Sequence, residues 1–390
     1  MTRPFFSRDR VSDFEIFTCH ADEAIQRLQQ LGHDGKPFDF QDLVSRFTLD
    51  SATEFLLGSC AHSLRTEAPP PFFRAFAQVQ HRLARRARTT PLWPLIEIVG
   101  DKTSKNMKVI RDFIQPMIQE AQQRRLATEG EKTTPQTLLD DLIEHTRSSD
   151  MIVDEVVNIL IAGRDTTASV LTFMTYCLAL DPSILHRLRQ EILDQVGEER
   201  NPNFDDIRQM KYLRAVINET LRLYPPVAGN VSDPFDHASV LYSRRETLLH
   251  TRWDKVFSLS SLLTIRLIPS ILRVAFPLWI INRHPDHWGS DAEIFDPDRF
   301  LDERANTYLV PSPSLFLPFS TGPRICLGQQ FSYQEMSFFM IRLLQRYDHI
   351  ELATDAQPPE TLPPACWATG KGRRSIEKVR PKIDLTLFVM

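Results

Sequence analysis

The sequence predicts a mainly α-helical protein with a minor β part. Three observations carry that prediction. Helical apolar spacing recurs through the first two-thirds of the chain, bounded by caps and terminating glycines. One apolar run between Asp150 and Pro182 is far too long for a strand. The last third is richer in proline and irregular, with a further helix expected after Cys326 through Arg346.

Taken in order, "ADEAIQRLQQLG" has helical spacing and stops at Gly32. "DFQDLVSRFTLDSATEFLLG" runs from a capping Asp39 to a terminating Gly58. "PPPFFRAFAQVQHRLARRAR" starts after three prolines and ends in an arginine cluster, which at helical spacing reads first as a solvated face. Residues Gln122–Thr134 are polar and charged and read as an exposed linker. "DMIVDEVVNILIAGRDTTASVLTFMTYCLALDP" begins at a cap on Ser149 or Asp150 and is apolar almost all round, the pattern of a helix threading a large core. "DPSILHRLRQEILDQVG" and "YLRAVINETLRLYPP" follow, the second halted by Pro225 and Pro226.

The chain has 390 residues, 42% of them hydrophobic, enough to bury a sizeable core. Its formal charge of −4 gives no electrostatic case for nucleic acid. Five widely spaced cysteines, odd in number and without a CxxC pair, offer no disulfide framework and fit a reducing compartment. "MTRPFFSRDR" is charged and polar, so it reads as neither signal peptide nor membrane anchor. The most apolar late stretch carries Arg266, Arg273 and two prolines, which argues against a membrane span.

Three motifs carry chemistry. In "AGRDTTA", Gly163, Asp165, Thr166 and Thr167 are poor helix formers placed mid-helix. They predict a local kink, with threonine hydroxyls bonding back to the helix carbonyls. The bland reading is a bent core helix; the functional one is a helix opened for a ligand, with an acid and an alcohol ready to relay protons. In "ETLR", Glu219 and Arg222 share a helix face, as in any surface ion pair. At the end of an apolar helix they suit a buried bidentate contact, with Arg299 of "FDPDRF" as a third member. In "FSTGPRICLGQQ", Gly322 and Pro323 impose a turn, and Gly328 permits close approach of a flat group. A lone cysteine is most often a buried thiol. Here Arg324 and the helix start after Cys326 would favour a thiolate, and a haem iron is a partner for such a sulfur.

With these motifs in this order, the sequence resembles the cytochrome P-450 family of haem-thiolate mono-oxygenases. "FSTGPRICLG" fits F-x-x-G-x-R-x-C-x-G at every fixed position, "AGRDTT" the oxygen-binding helix, "ETLR" the E-x-x-R helix, and "FDPDRF" the segment completing the triad. The wider texture is similar to microsomal fungal members that hydroxylate long-chain alkanes and fatty acids. The resemblance implies haem b (iron protoporphyrin IX), with Cys326 as axial iron ligand, Phe319 packed near the sulfur and Arg324 paired with a haem propionate. Gly322 and Gly328 would shape the loop, and Ala162 and Gly163 would leave room for dioxygen. Asp165 and Thr166 would deliver protons, and Glu219, Arg222 and Arg299 would form a structural triad. The implied partners are an NADPH-cytochrome P-450 reductase, dioxygen and a lipophilic substrate. Full-length relatives sit on the endoplasmic reticulum membrane.

The resemblance covers roughly Met1–Asn230 and Val274–Val389 of a single domain spanning 1–390, leaving 232–273 unmatched. The family's amino-terminal anchor, first strands and early helices, with their W-x-x-x-R, have no counterpart in the sequence. Three functional expectations follow: a mono-oxygenase; an isomerase or dehydratase of the same fold, against which Asp165 and Thr166 argue; and a truncated or mis-spliced member without catalytic activity.

Overall fold

A computed structural model describes residues 6, 14–33, 35–89, 103–127, 137–146, 148–232, 274–322, 325–370, 372–383 and 386–389. Arg324 and residues 233–273 lie outside the described residues.

The helices form where the caps place them. Helix α1 spans Glu15–Gly32 and α2 spans Phe40–Leu57. The Asp39 side chain accepts the Asp42 amide at 3.0 Å, and α2 ends on Gly58 at φ 69°, a left-handed cap that glycine adopts without strain. Helices α3 (Pro71–Thr89) and α4 (Ser104–Ala127) pack on each other. Part of the expected linker is therefore helix, because the apolar stripe of Ile110, Ile114, Ile118 and Ala121 carries α4 onward to Ala127. A capping box between Thr137 and Asp140 opens α5, Leu138–His145.

The long apolar run is α6 (Ser149–Leu160), a π-helical turn at Ile161–Asp165, and α7 (Thr166–Leu180). Ser148 caps its start, one residue before the expected cap. Every residue from Thr167 to Leu178 is buried, as its all-round apolarity requires. Asp181 then caps α8 (Pro182–Gln195) across a bend of 114°. Among the described residues no single helix is long and apolar enough to cross a membrane; only this bent pair meets that test by length and composition.

Helices α9 (Phe204–Gln209) and α10 (Lys211–Leu223) follow, with Tyr224 ending the latter ahead of its two prolines. The β part among the described residues is two short two-stranded antiparallel sheets. Strand β1 (Asn230–Ser232) pairs with β2 (Val274–Phe276), so Ser232, the first residue of the unmatched segment, and Val274, the residue after its end, are register partners. Short helices α11 (Leu278–Ile281), α12 (Pro285–Trp288) and α13 (Asp302–Tyr308) lead to α14 (Gln329–Arg346). Strands β3 (Pro381–Ile383) and β4 (Leu387–Val389) close the chain.

Two apolar clusters organise the helices. One joins α1, α2, α7, α8, α10 and α14; the other joins α2 to α3, α4, α5 and α6. Helix α2 serves both, giving Phe47 to the first and Leu49 and Ala52 to the second. The aromatic stack of Phe173 on Tyr224, with centroids 4.5 Å apart and planes within 7°, fixes α7 against the end of α10.

Candidate functional site

The loop ahead of α14 holds Cys326 by its backbone. Ser320 and Gly322 both sit at positive φ, 61° and 69°. At Gly322 this left-handed conformation is the use of the glycine. The turn brings the Cys326 amide to the Phe319 carbonyl at 2.9 Å and the Ile325 amide to the Gly322 carbonyl at 3.2 Å. The Phe319 ring lies 5.0 Å from Tyr333, whose hydroxyl donates to Asn218 Oδ1 at 2.7 Å and so links the loop to α10. Helix α14 begins two residues after Leu327, with Gly328 as its N-cap; a methyl group added there would stand 3.7 Å from the Phe6 ring.

Cys326 is exposed, and so are Ile325 and Leu327 beside it. Local desolvation pushes the Cys326 thiol up, with the Gly328 amide pulling the other way. Arg324, on which the expected bias towards thiolate rests, lies outside the described residues.

Whether the donor set fits haem is decided by what Cys326 lacks. Among the described residues it belongs to no group of metal-ligating side chains. A protein-only metal centre needs several such ligands. A single exposed sulfur flanked by Ile325 and Leu327 fits instead an iron whose other ligands come from a flat macrocycle, and haem meets that description.

The central helix is opened at Ile161–Asp165, where a π-helical turn widens the ladder. Thr166 Oγ1 donates to the Ala162 carbonyl at 2.7 Å. Ala162 is exposed, whereas the open position on Gly163 faces Ala52 of α2, 3.8 Å from where a methyl group would stand. Asp165 does not bond to Thr166. One oxygen accepts from Arg164 at 2.8 Å and the other from Gln80 of α3. Arg164 is itself buried, 4.1 Å over the Phe73 ring. The acid and the alcohol are adjacent in sequence, yet the structure turns them to different partners.

The three triad residues meet, all fully buried. Arg222 grips Glu219 with two contacts, Nε to Oε2 at 2.6 Å and Nη2 to Oε1 at 2.7 Å. Its remaining hydrogens go to the carbonyls of Asn282 and Ala292, both at 2.6 Å, and Ile294 at 3.2 Å. Arg299 lies 3.6 Å from Glu219 and donates to the Trp288 and Asp291 carbonyls. A buried ion pair survives only when its donors and acceptors are otherwise satisfied. Here α10 is bound by its end to the irregular segment from Asn282 to Arg299.

One buried acid was not singled out from sequence. Glu335 of α14 is fully buried, neither carboxyl oxygen makes a well-formed hydrogen bond, and Ser51 and Thr167 are its polar neighbours. Burial pushes its carboxyl up to about 8. The only sequence signal is a glutamate within the apolar stretch "YQEMSFFMI".

Separately, each of these features occurs in many proteins; a π-widened core helix, a buried Glu–Arg–Arg triad and a lone loop cysteine in one helical fold define the cytochrome P450 class. The chain belongs to the cytochrome P450 family, whose family model matches residues 1–232 and 255–373. It is 32% identical over 373 residues to the cytochrome P450 monooxygenase pvhE of Talaromyces variabilis, covering 90% of this chain and 65% of that protein. To cytochrome P450 52A3-B of Candida maltosa it is 32% identical, over 92% of this chain and 68% of that protein. To the cytochrome P450 monooxygenase himC of Aspergillus japonicus it is 33% identical, over 93% of this chain and 62% of that protein. The chain thus spans about two-thirds of the length of these curated relatives.

Proposed function

We propose that the chain is a haem-thiolate mono-oxygenase acting on a lipophilic substrate, with a long-chain alkane or fatty acid as the substrate class. The carrying observation is Cys326: one exposed sulfur in a glycine-shaped loop, with no second protein ligand beside it among the described residues. Cys326 would hold the haem iron, with the Phe319–Cys326 backbone bond fixing the sulfur's position. When bound, haem supplies the hard chemistry, insertion of one oxygen atom of dioxygen into a C–H bond while the other leaves as water.

The chain's own residues would bind, orient and move protons. Gly322 and Gly328 would shape the loop, Ala162 and Gly163 the opened helix, and Arg324 would face a haem propionate. Thr166 Oγ1, bonded to a carbonyl of its own helix, would present its lone pairs to the opened side. Asp165, held by Gln80 and Arg164, would exchange protons with solvent by turning from that pair. Electrons would come from an NADPH-cytochrome P-450 reductase. The substrate class rests on the sequence resemblance to fungal alkane and fatty-acid hydroxylases, a likeness of family and not of the pocket.

The test is the reduced carbon-monoxide difference spectrum of the chain expressed with haem supply, beside Cys326→Ala. A thiolate-type band that the substitution abolishes is expected. Absence of haem, or a band typical of another ligand, overturns the proposal and leaves the non-catalytic reading standing.

A further inference from the structure

A second cluster of ligating side chains lies apart from Cys326, at the corner where α1, α2 and the loop after α2 meet. His20, Asp50 and Cys60 each bring one donor atom to within 4.8 Å of the other two. We propose that this corner is a zinc site, with His20, Asp50 and Cys60 as its protein ligands.

The donors choose the metal. An imidazole nitrogen, a carboxylate oxygen and a sulfur are a zinc set, whereas calcium and magnesium take oxygen ligands. Two ligands of one tetrahedral zinc ion stand roughly 3.3–3.6 Å apart, given bonds of about 2.0–2.3 Å. Shifts of about an ångström therefore bring the three donors onto an ion.

Two further observations fit a cation in this corner, beside the Arg65–Glu23 pair at its edge. Asp50 is fully buried, and among the described residues its oxygens accept only the backbone amides of Ser63 at 2.8 Å and Leu64 at 2.9 Å. A buried carboxylate normally has a counter-ion or coordinates a metal. His20, 2% exposed, has a ring nitrogen, Nδ1, with no hydrogen bond. Glu23 Oε2 stands 3.7 Å from it, buried and also without a hydrogen-bond partner. On the other side of the ring, His20 Nε2 is 2.7 Å from Glu54 Oε2. Whichever nitrogen takes the ion, a carboxylate stands at the other, the arrangement that orients zinc-bound histidines.

Cys60 enters as a thiol, the ordinary state of a cysteine at neutral pH, and the His62 amide donates to its sulfur at 3.2 Å. Binding would form a zinc–sulfur bond and release that proton to solvent. The ion would tie α1 to α2 and to the loop that carries Ser63 and Leu64.

This site is independent of the mono-oxygenase reading, and so is its test. The full chain, stripped of divalent metal, is titrated with cobalt(II) and then zinc(II). The expected result is one cobalt per chain with a sulfur-to-metal charge-transfer band, about one proton released per ion, displacement by zinc, and a higher midpoint of thermal unfolding. Cys60→Ser should abolish the band, and His20→Gln should weaken cobalt binding at least roughly tenfold. Should these variants fail to fold, zinc protection of Cys60 in the unaltered chain against alkylation, read by mass spectrometry, decides the matter. A titration without a thiolate band, a band that survives Cys60→Ser, or unprotected Cys60 overturns the assignment.

Discussion

Thr166 Oγ1 donates to the Ala162 carbonyl at 2.7 Å, four residues back along an opened helix. The π-helical turn frees carbonyls from the ordinary ladder, and the hydroxyl satisfies one of them. Thr166→Val keeps the shape and removes the donor. Under the proposed function, the rate of product formation should fall on the order of a hundredfold, the lower end for loss of a positioned proton-transfer group, and product formed per NADPH consumed should fall with it. The carbon-monoxide band should stay unchanged. Unaltered product yield would show that the hydroxyl moves no proton.

Arg222 and Glu219 are both fully buried, and without Arg222 the carboxylate keeps the Asp296 amide at 2.8 Å and Arg299 at 3.6 Å but loses both of its bidentate contacts. Arg222→Met should destabilise the chain by about 3–5 kcal/mol, because Glu219 and three carbonyls lose their partner in a dry site. Arg222→Lys should also lose stability, since an ammonium cannot reproduce the planar fork that reaches Glu219, Asn282 and Ala292 at once. Denaturant titration measures both. A loss below about 1 kcal/mol for the methionine variant, the range of an exposed pair, would contradict the buried arrangement.

Glu335 predicts a pH dependence with a definite sign. Its folded carboxyl titrates at about 8, against an ordinary value of 4.5. Between those values the folded chain holds the proton more tightly than the unfolded one. The contribution is therefore whole below about pH 4.5 and lost as pH rises through about 8, with a slope of at most about 1.4 kcal/mol per pH unit. Thermal midpoints of the chain and of Glu335→Gln, measured from pH 5 to 9, should converge towards low pH and separate at high pH, the glutamine variant falling less. Parallel curves would show that this carboxyl keeps its ordinary titration.

Much of the helical plan is local and was legible before folding. Asp39 and Gly58 bound α2 in sequence and in structure alike, because a cap is read from residues a turn apart. The π-helical turn at Ile161–Asp165 lies where glycine, aspartate and threonine interrupt an apolar helix, and those residues weaken the ladder wherever they sit. Helix α4 ran on into the expected linker because its buried stripe outweighs the polar tail that suggested exposure.

The family motifs are likewise written in the chain: Cys326 among its glycines, and Glu219 and Arg222 one turn apart. What each polar group faces was decided only by which helices pack together. Asp165 meets Gln80 from 85 residues away, Glu335 is sealed between α2 and α7, and His20 meets Asp50 and Cys60 where two helices and a loop converge. Periodicity tells which face of a helix is buried. It does not tell which neighbour receives a buried proton or charge, because burial energy is set by area while hydrogen bonds and coordination are set by partner and direction.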